Sequence, residues 1–162
     1  MGSGKKMITG KNGIVFLLGA GICKYFGDKA SREKEALIER NNLLVETLDR
    51  WMTLRDNGIA IEQYLKKINC KKVAIYGLGV IGNHLYEELR RTELEIVGID
   101  RADIYNNYQM PIYKPDDCFE DVDLIIVTPL GYEAVCQKLR EKYKGQIVSF
   151  QQLLSLCEEY LF

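Results

Sequence analysis

The sequence predicts an α/β chain built on a doubly wound parallel sheet. Three observations carry that expectation. Short apolar runs alternate with helical patterns from Val73 onward, as strands buried on both faces do. The first run, Val73 to Tyr76, leads into Gly77-Leu78-Gly79-Val80-Ile81-Gly82, a GxGxxG turn at the start of an amphipathic helix. The second run, Glu95 to Ile99, ends at Asp100.

Residues 1–28 read as an apolar, basic leader. Ile14 to Cys23 carries no charge, with Lys5, Lys6 and Lys11 before it and Lys24 after it. A helix needs about 20 apolar residues to cross a bilayer core of about 30 Å, more than this run offers. The expectation is a cytoplasmic protein that meets the inner membrane surface through residues 12–26, held by its lysines and anionic lipid. A marginal membrane anchor, and docking of the leader on the domain, are the alternatives.

Residues 30–69 read as a helical extension. Leu37, Ile38, Leu44, Val45, Leu48, Trp51 and Met52 form one broad stripe on a helix over 30–57. Asn57-Gly58 stops it. A second helix follows from Ile59 to Ile68, with Ile61, Tyr64, Leu65 and Ile68 on one side. Leu37, Asn41, Leu44, Leu48, Trp51 and Arg55 alternate steps of four and three, the spacing of a seam between two copies. A homodimer through the 30–57 helix is one expectation. Cover for the sheet is the other.

Residues 70–162 read as the sheet domain. A helix runs from Val80 to Arg91, with Leu85 and Leu89 facing inward. Met110 to Tyr113 is a third strand. Leu124 to Val127 is a fourth, wholly apolar one. Tyr132 to Tyr143 is helical, with Val135, Leu139 and Tyr143 in register. Ile147 to Phe150 is a fifth strand, and Gln152 to Tyr160 a closing helix. Right-handed crossovers then give the Rossmann-like order 3-2-1-4-5, with a ligand crevice above the carboxyl ends of strands one and four.

The chemistry expected in that crevice is diphosphate binding. Gly77 turns the chain off its strand, Gly79 admits a pyrophosphate, and Gly82 lets the helix approach. The backbone of Leu78, Val80 and Ile81 completes the turn, and the helix start presents free amides and a positive dipole end. A carboxylate at Asp100 accepts ribose hydroxyls, which favours NAD. Arg101 beside it suits the extra phosphate of NADP. Thr128 and Pro129 follow the fourth strand and face the turn. The Thr128 hydroxyl can meet a ribose or phosphate, or simply close the strand. Tyr132 lines the cleft or packs beneath it. His84 offers an acid or a phosphate contact beside the turn, or simply belongs to the solvated side of the first helical turn. Asp116 and Asp117 start a helical turn.

Other classes are disfavoured. A formal net charge of −1 gives no general attraction to nucleic acid. Five scattered cysteines, one histidine and no CxxC pair argue against a zinc site and for reduced thiols. No tyrosine is followed four residues later by a lysine after the fourth strand, and no GxSxG elbow or phosphate-loop lysine is present. With no second domain to seal a substrate from water, a binding module is expected rather than a self-contained enzyme.

The segments KKVAIYGLGVIGNHLYEEL, EIVGIDRAD, PIYKPDD, DVDLIIVTPL and GQIVSFQQLL resemble small bacterial NAD(P)-binding Rossmann proteins of the nucleoside-diphosphate-sugar epimerase-like group, associated with surface polysaccharide genes. They are also similar to the nucleotide-binding domains that precede some bacterial sugar dehydratases and acetyltransferases. The likeness covers residues 45–162. It implies that Gly77, Gly79, Gly82 and Asp100 contact a nucleotide. It does not imply epimerase activity, because the tyrosine–lysine pair and the larger substrate domain are missing. Other members often carry an apolar N-terminal stretch. The function this implies is an accessory module that binds NAD(H) or a nucleotide-sugar in surface polysaccharide assembly. A minimal oxidoreductase or epimerase completed by a partner chain, and a helix-mediated scaffold, are the alternatives.

Overall fold

Five parallel strands lie in the order β3-β2-β1-β4-β5, the order expected. They are β1 (Lys72–Tyr76), β2 (Glu95–Ile99), β3 (Ile112–Tyr113), β4 (Leu124–Val127) and β5 (Gln146–Ser149). The helices are α1 (Lys11–Asp56), α2 (Ile61–Lys67), α3 (Val80–Leu89), α4 (Glu133–Lys142) and α5 (Phe150–Glu159). The structure is a computed structural model that describes residues 11–103, 108–117 and 121–159, and the side chains of 29, 31–103, 108–117, 121–132 and 134–159.

Strand alternation splits the core in two. Val73, Ile75, Ile96, Leu124, Ile126 and Val148 face one side, where α2, α3, α5 and the end of α1 cover them. Ala74, Tyr76, Val97, Ile99, Ile125 and Val127 face the other, where α4 brings Cys136 and Leu139. Both faces of β1 and β4 are thus buried, which is why those runs contain no alternating polar residue. Asp123 fastens the sheet where β1 and β4 begin. Its Oδ2 accepts the amides of Lys71 (2.7 Å) and Lys72 (2.9 Å).

The chain resolves into two compact units, Met1–Asn42 and Leu43–Phe162. In the first, α1 carries exposed Leu37 and Ile38 and an i,i+4 ion pair of Lys29 with Glu33 at 3.9 Å. In the second, the end of α1 belongs to the sheet unit's core. Trp51 packs edge-on against Phe150 with ring centroids 4.7 Å apart. Leu54 is buried, and Leu44 and Leu48 lie against the same cluster. Arg50 ties α1 to α5 by hydrogen bonds to both carboxylate oxygens of Glu158 and, at 2.9 Å, to Ser155 Oγ. Leu44, Leu48 and Trp51, expected at a seam between copies, therefore face their own unit. Burying that large apolar stripe needs a partner surface, and the sheet supplies one.

Local boundaries shift where capping chemistry acts. Helix α5 starts at Phe150 because Ser149 and Gln152 form a reciprocal capping box. The Gln152 amide donates to Ser149 Oγ and the Ser149 amide to Gln152 Oε1, both at 3.0 Å. Strand β3 is two residues long rather than the four expected. Helix α1 runs without a break through residues 28–30, where the sequence suggested a boundary between leader and extension.

No helix among the described residues is long and apolar enough to cross a membrane. The membrane-surface expectation for residues 12–26 falls on side chains outside the described residues.

Candidate functional site

The chain leaves β1 through a turn that needs a glycine. Gly77 has φ +89°, a left-handed conformation costly for any residue with a Cβ. A Cβ here would also lie 2.7 Å from Pro129 Cγ. Pro129 thus rests on the turn, and Thr128 holds it. The Thr128 hydroxyl is buried and lies 2.6 Å from the Gly77 carbonyl and 3.2 Å from that of Tyr76. Its one proton goes to the backbone. Gly82 brings α3 against the same turn: a Cβ on it would stand 2.0 Å from the Gly77 oxygen.

Gly79 differs from both. It is the N-cap of α3, with φ −74° and ψ −155°, and a Cβ built on it meets none of the described residues within 4 Å. No side chain among the described residues caps the helix. The amides of Val80, Ile81 and Gly82 have no acceptor one turn back within the helix, as at every helix N-terminus. Open space, an uncapped helix start and its positive dipole end therefore coincide.

Asp100 is joined to this turn. Its Oδ2 accepts the Leu78 amide at 2.6 Å, and its Oδ1 accepts the Ala102 amide at 2.8 Å. The carboxylate is thereby aimed, while each oxygen keeps acceptor capacity. The Leu78 amide is committed to this contact, and its side chain is buried, where a Cβ on Gly98 would meet it at 2.9 Å. Tyr132 stands at the N-cap of α4. His84 is exposed on α3, on the side facing α1.

A cavity of about 470 Å³ adjoins Arg101. Tyr76, Val135 and Leu139 give it an apolar lining, and Arg101, Lys114, Lys138, Lys142, Asp116 and Glu141 line the rest. It lies on the α4 face, where the connection from β3 to β4 crosses. Lys114 Nζ braces the loop after β2, reaching the carbonyls of Arg101 (3.2 Å) and Ala102 (3.0 Å) and Asp103 Oδ1 (2.6 Å). Hydrogen bonding and charge from Lys114 hold the Asp103 carboxyl below its ordinary range. Lys142 does the same to Asp116 across 2.7 Å. The only sequence signal for this cavity is the short stretch between Tyr113 and Leu124, too short for a full covering helix.

The structure thus brings Gly77, Gly79, Gly82, Asp100, Thr128 and Pro129 to one place at the carboxyl ends of β1 and β4. Arg101 stands beside them in the cavity lining. Among the described residues, no group of three or more His, Cys, Asp or Glu side chains could hold a metal ion.

No protein-family model matches the chain, and no curated protein matches it. The chain is similar to CAD from Helicobacter pylori, a crystal structure complexed with NADP(H), at 14% identity and a TM-score of 0.36. That match covers 62% of this chain and 41% of the other, so the chain spans less than half of that protein's length.

Proposed function

We propose that the crevice binds a dinucleotide, NAD(H) in first place, and that the protein is an accessory, non-catalytic module. One observation carries the reading: Gly79 stands in open space at the uncapped start of α3. A pyrophosphate there takes the amides of Val80, Ile81 and Gly82. Asp100 accepts the hydroxyls of the adenosine ribose, and the adenine enters the cavity lined by Tyr76, Val135 and Leu139. A 2′-phosphate, as in NADP, or the phosphates of a nucleotide-sugar would meet Arg101. The non-catalytic reading is supported by the missing tyrosine–lysine pair and by the Thr128 proton being spent on the turn. The link to surface polysaccharide assembly rests on the sequence segments that resemble the epimerase-like group.

Calorimetry of the full chain with NAD, NADH, NADP and UDP-sugars tests this. Saturable binding of a dinucleotide is expected. No heat and no thermal shift with any of them at millimolar concentration would end the nucleotide reading.

A second reading, an interaction module built on α1, is favoured by a separate observation. Leu37, Ile38, Val45 and Met52 remain between 57% and 65% exposed on that helix. Singly exposed apolar residues are ordinary, but four on one helix are not.

A further inference from the structure

The end of α1 and the outer side of α3 enclose a groove of about 400 Å³, lined by Leu48, Trp51, Met52 and Arg55 on one side and His84 and Glu88 on the other. Two polar atoms beneath its lining are unusual. Trp51 Nε1 and Glu88 Oε2 are buried and have no hydrogen-bond partner among the described residues. Glu88 Oε1 is used, accepting the Ile61 amide at 3.2 Å, and Arg55 Nε lies 3.9 Å from Oε2. A buried donor and a buried acceptor left unmatched in one groove call for a group that offers both.

The chain itself carries such a group beside an apolar anchor. Ile38, Val45 and Met52 recur every seven residues, and all three are exposed. Asn41 follows Ile38 by three, on the same side of the helix. Its carboxamide oxygen accepts and its nitrogen donates. Charges agree with an antiparallel approach: Glu35, three before Ile38, then comes to Arg55, and Lys34 to Asp56.

We propose that this groove receives residues 34–42 of a second copy of the chain, with Ile38 seated beside Met52 and, as the side chains covering them shift, the Asn41 carboxamide bonded to Trp51 and Glu88. The inference rests on the interaction reading of α1 and is independent of nucleotide binding. It replaces the seam through Leu44, Leu48 and Trp51, which are taken up by the core. An asparagine in an otherwise apolar contact also selects one register over its neighbours.

Sedimentation equilibrium of the full chain, with emission of Trp51, the single tryptophan, followed on dilution, tests it. Wild type is expected to dimerise, and its emission to shift as the dimer dissociates. Ile38→Glu and Met52→Glu, both at exposed positions, should keep the wild-type melting curve and weaken association at least about tenfold, and Asn41→Ala should weaken it too. A dimer indifferent to Ile38→Glu and Met52→Glu, or one whose dissociation leaves Trp51 emission unchanged, would overturn the groove assignment while association through α1 survives. A dimer indifferent only to Asn41→Ala would overturn the carboxamide contact. A wild type that stays monomeric at high micromolar concentration would overturn both the groove and the interaction reading.

Discussion

The Thr128 hydroxyl lies 2.6 Å from the Gly77 carbonyl and donates to it, joining the end of β4 to the turn that leaves β1. Gly82 closes the same joint from α3, its Cα so near the Gly77 carbonyl that no side chain fits between them. Two strands and a helix are thus held around the mouth of the crevice by one hydroxyl and two glycines.

Thr128→Val keeps the side-chain shape and deletes the donor. The Gly77 oxygen then loses its side-chain partner in a largely buried place, at an expected cost of about 1–2 kcal/mol. Thr128→Ser keeps the donor and gives up a methyl group, about 1 kcal/mol at most. Urea unfolding of both variants ranks them. Equal stability of the valine variant and wild type would show that the hydroxyl does not hold the turn.

Gly79→Ala separates folding from binding. The added methyl meets none of the described residues within 4 Å, and the backbone there suits any residue, so the melting temperature should not move. Dinucleotide affinity should fall at least about tenfold, because the methyl occupies the space a pyrophosphate needs. Gly82→Ala should do the opposite first: its Cβ 2.0 Å from a backbone oxygen forces α3 away, costing about 3 kcal/mol or more. Thermal melts with calorimetry on both variants are the check.

Asp123 makes the start of the sheet acid-sensitive. Hydrogen bonds from the Lys71 and Lys72 amides hold its carboxyl below the ordinary carboxylate range. A group with a depressed folded pKa stabilises fully above its unfolded value, about 3.9, and loses that contribution as pH falls through the folded one. Wild type should therefore exceed Asp123→Asn in stability at neutral pH. The gap should close below about pH 4. A gap that persists at pH 2 would place the stabilisation elsewhere.

Two thiols are predicted to be inert. Burial is the main reason that Cys157 is pushed up to about 12 and Cys70 to about 11, so neither supplies thiolate near neutrality. Iodoacetamide at pH 8 should leave both unmodified in the folded chain and label both in urea, as read by peptide mass mapping. Rapid labelling of Cys157 without denaturant would mean that α5 detaches readily.

The parallel strands, their order and the glycine turn were legible in the sequence, because each leaves a local mark. Leu124 to Val127 is apolar throughout, Gly77 is demanded by a positive φ, and Gly82 by a close approach. The capping box of Ser149 and Gln152 was equally local and would have placed the start of α5. The cavity beside Arg101 left only a faint mark, the short stretch between Tyr113 and Leu124. It depends on how Lys114 and α4 meet across the sheet, and their residues are far apart along the chain.

The sequence by itself determined the sheet and the notch at its carboxyl edge, since strand period, turn sterics and helix-start chemistry act over a few neighbouring residues. Only the tertiary structure decided which way the stripe on α1 faces. Leu44, Leu48 and Trp51 could serve a second copy or the chain's own core equally well by spacing alone. The apolar surface of the sheet and α5 claims them, because burial rewards whatever apolar surface lies within reach and is blind to order along the chain.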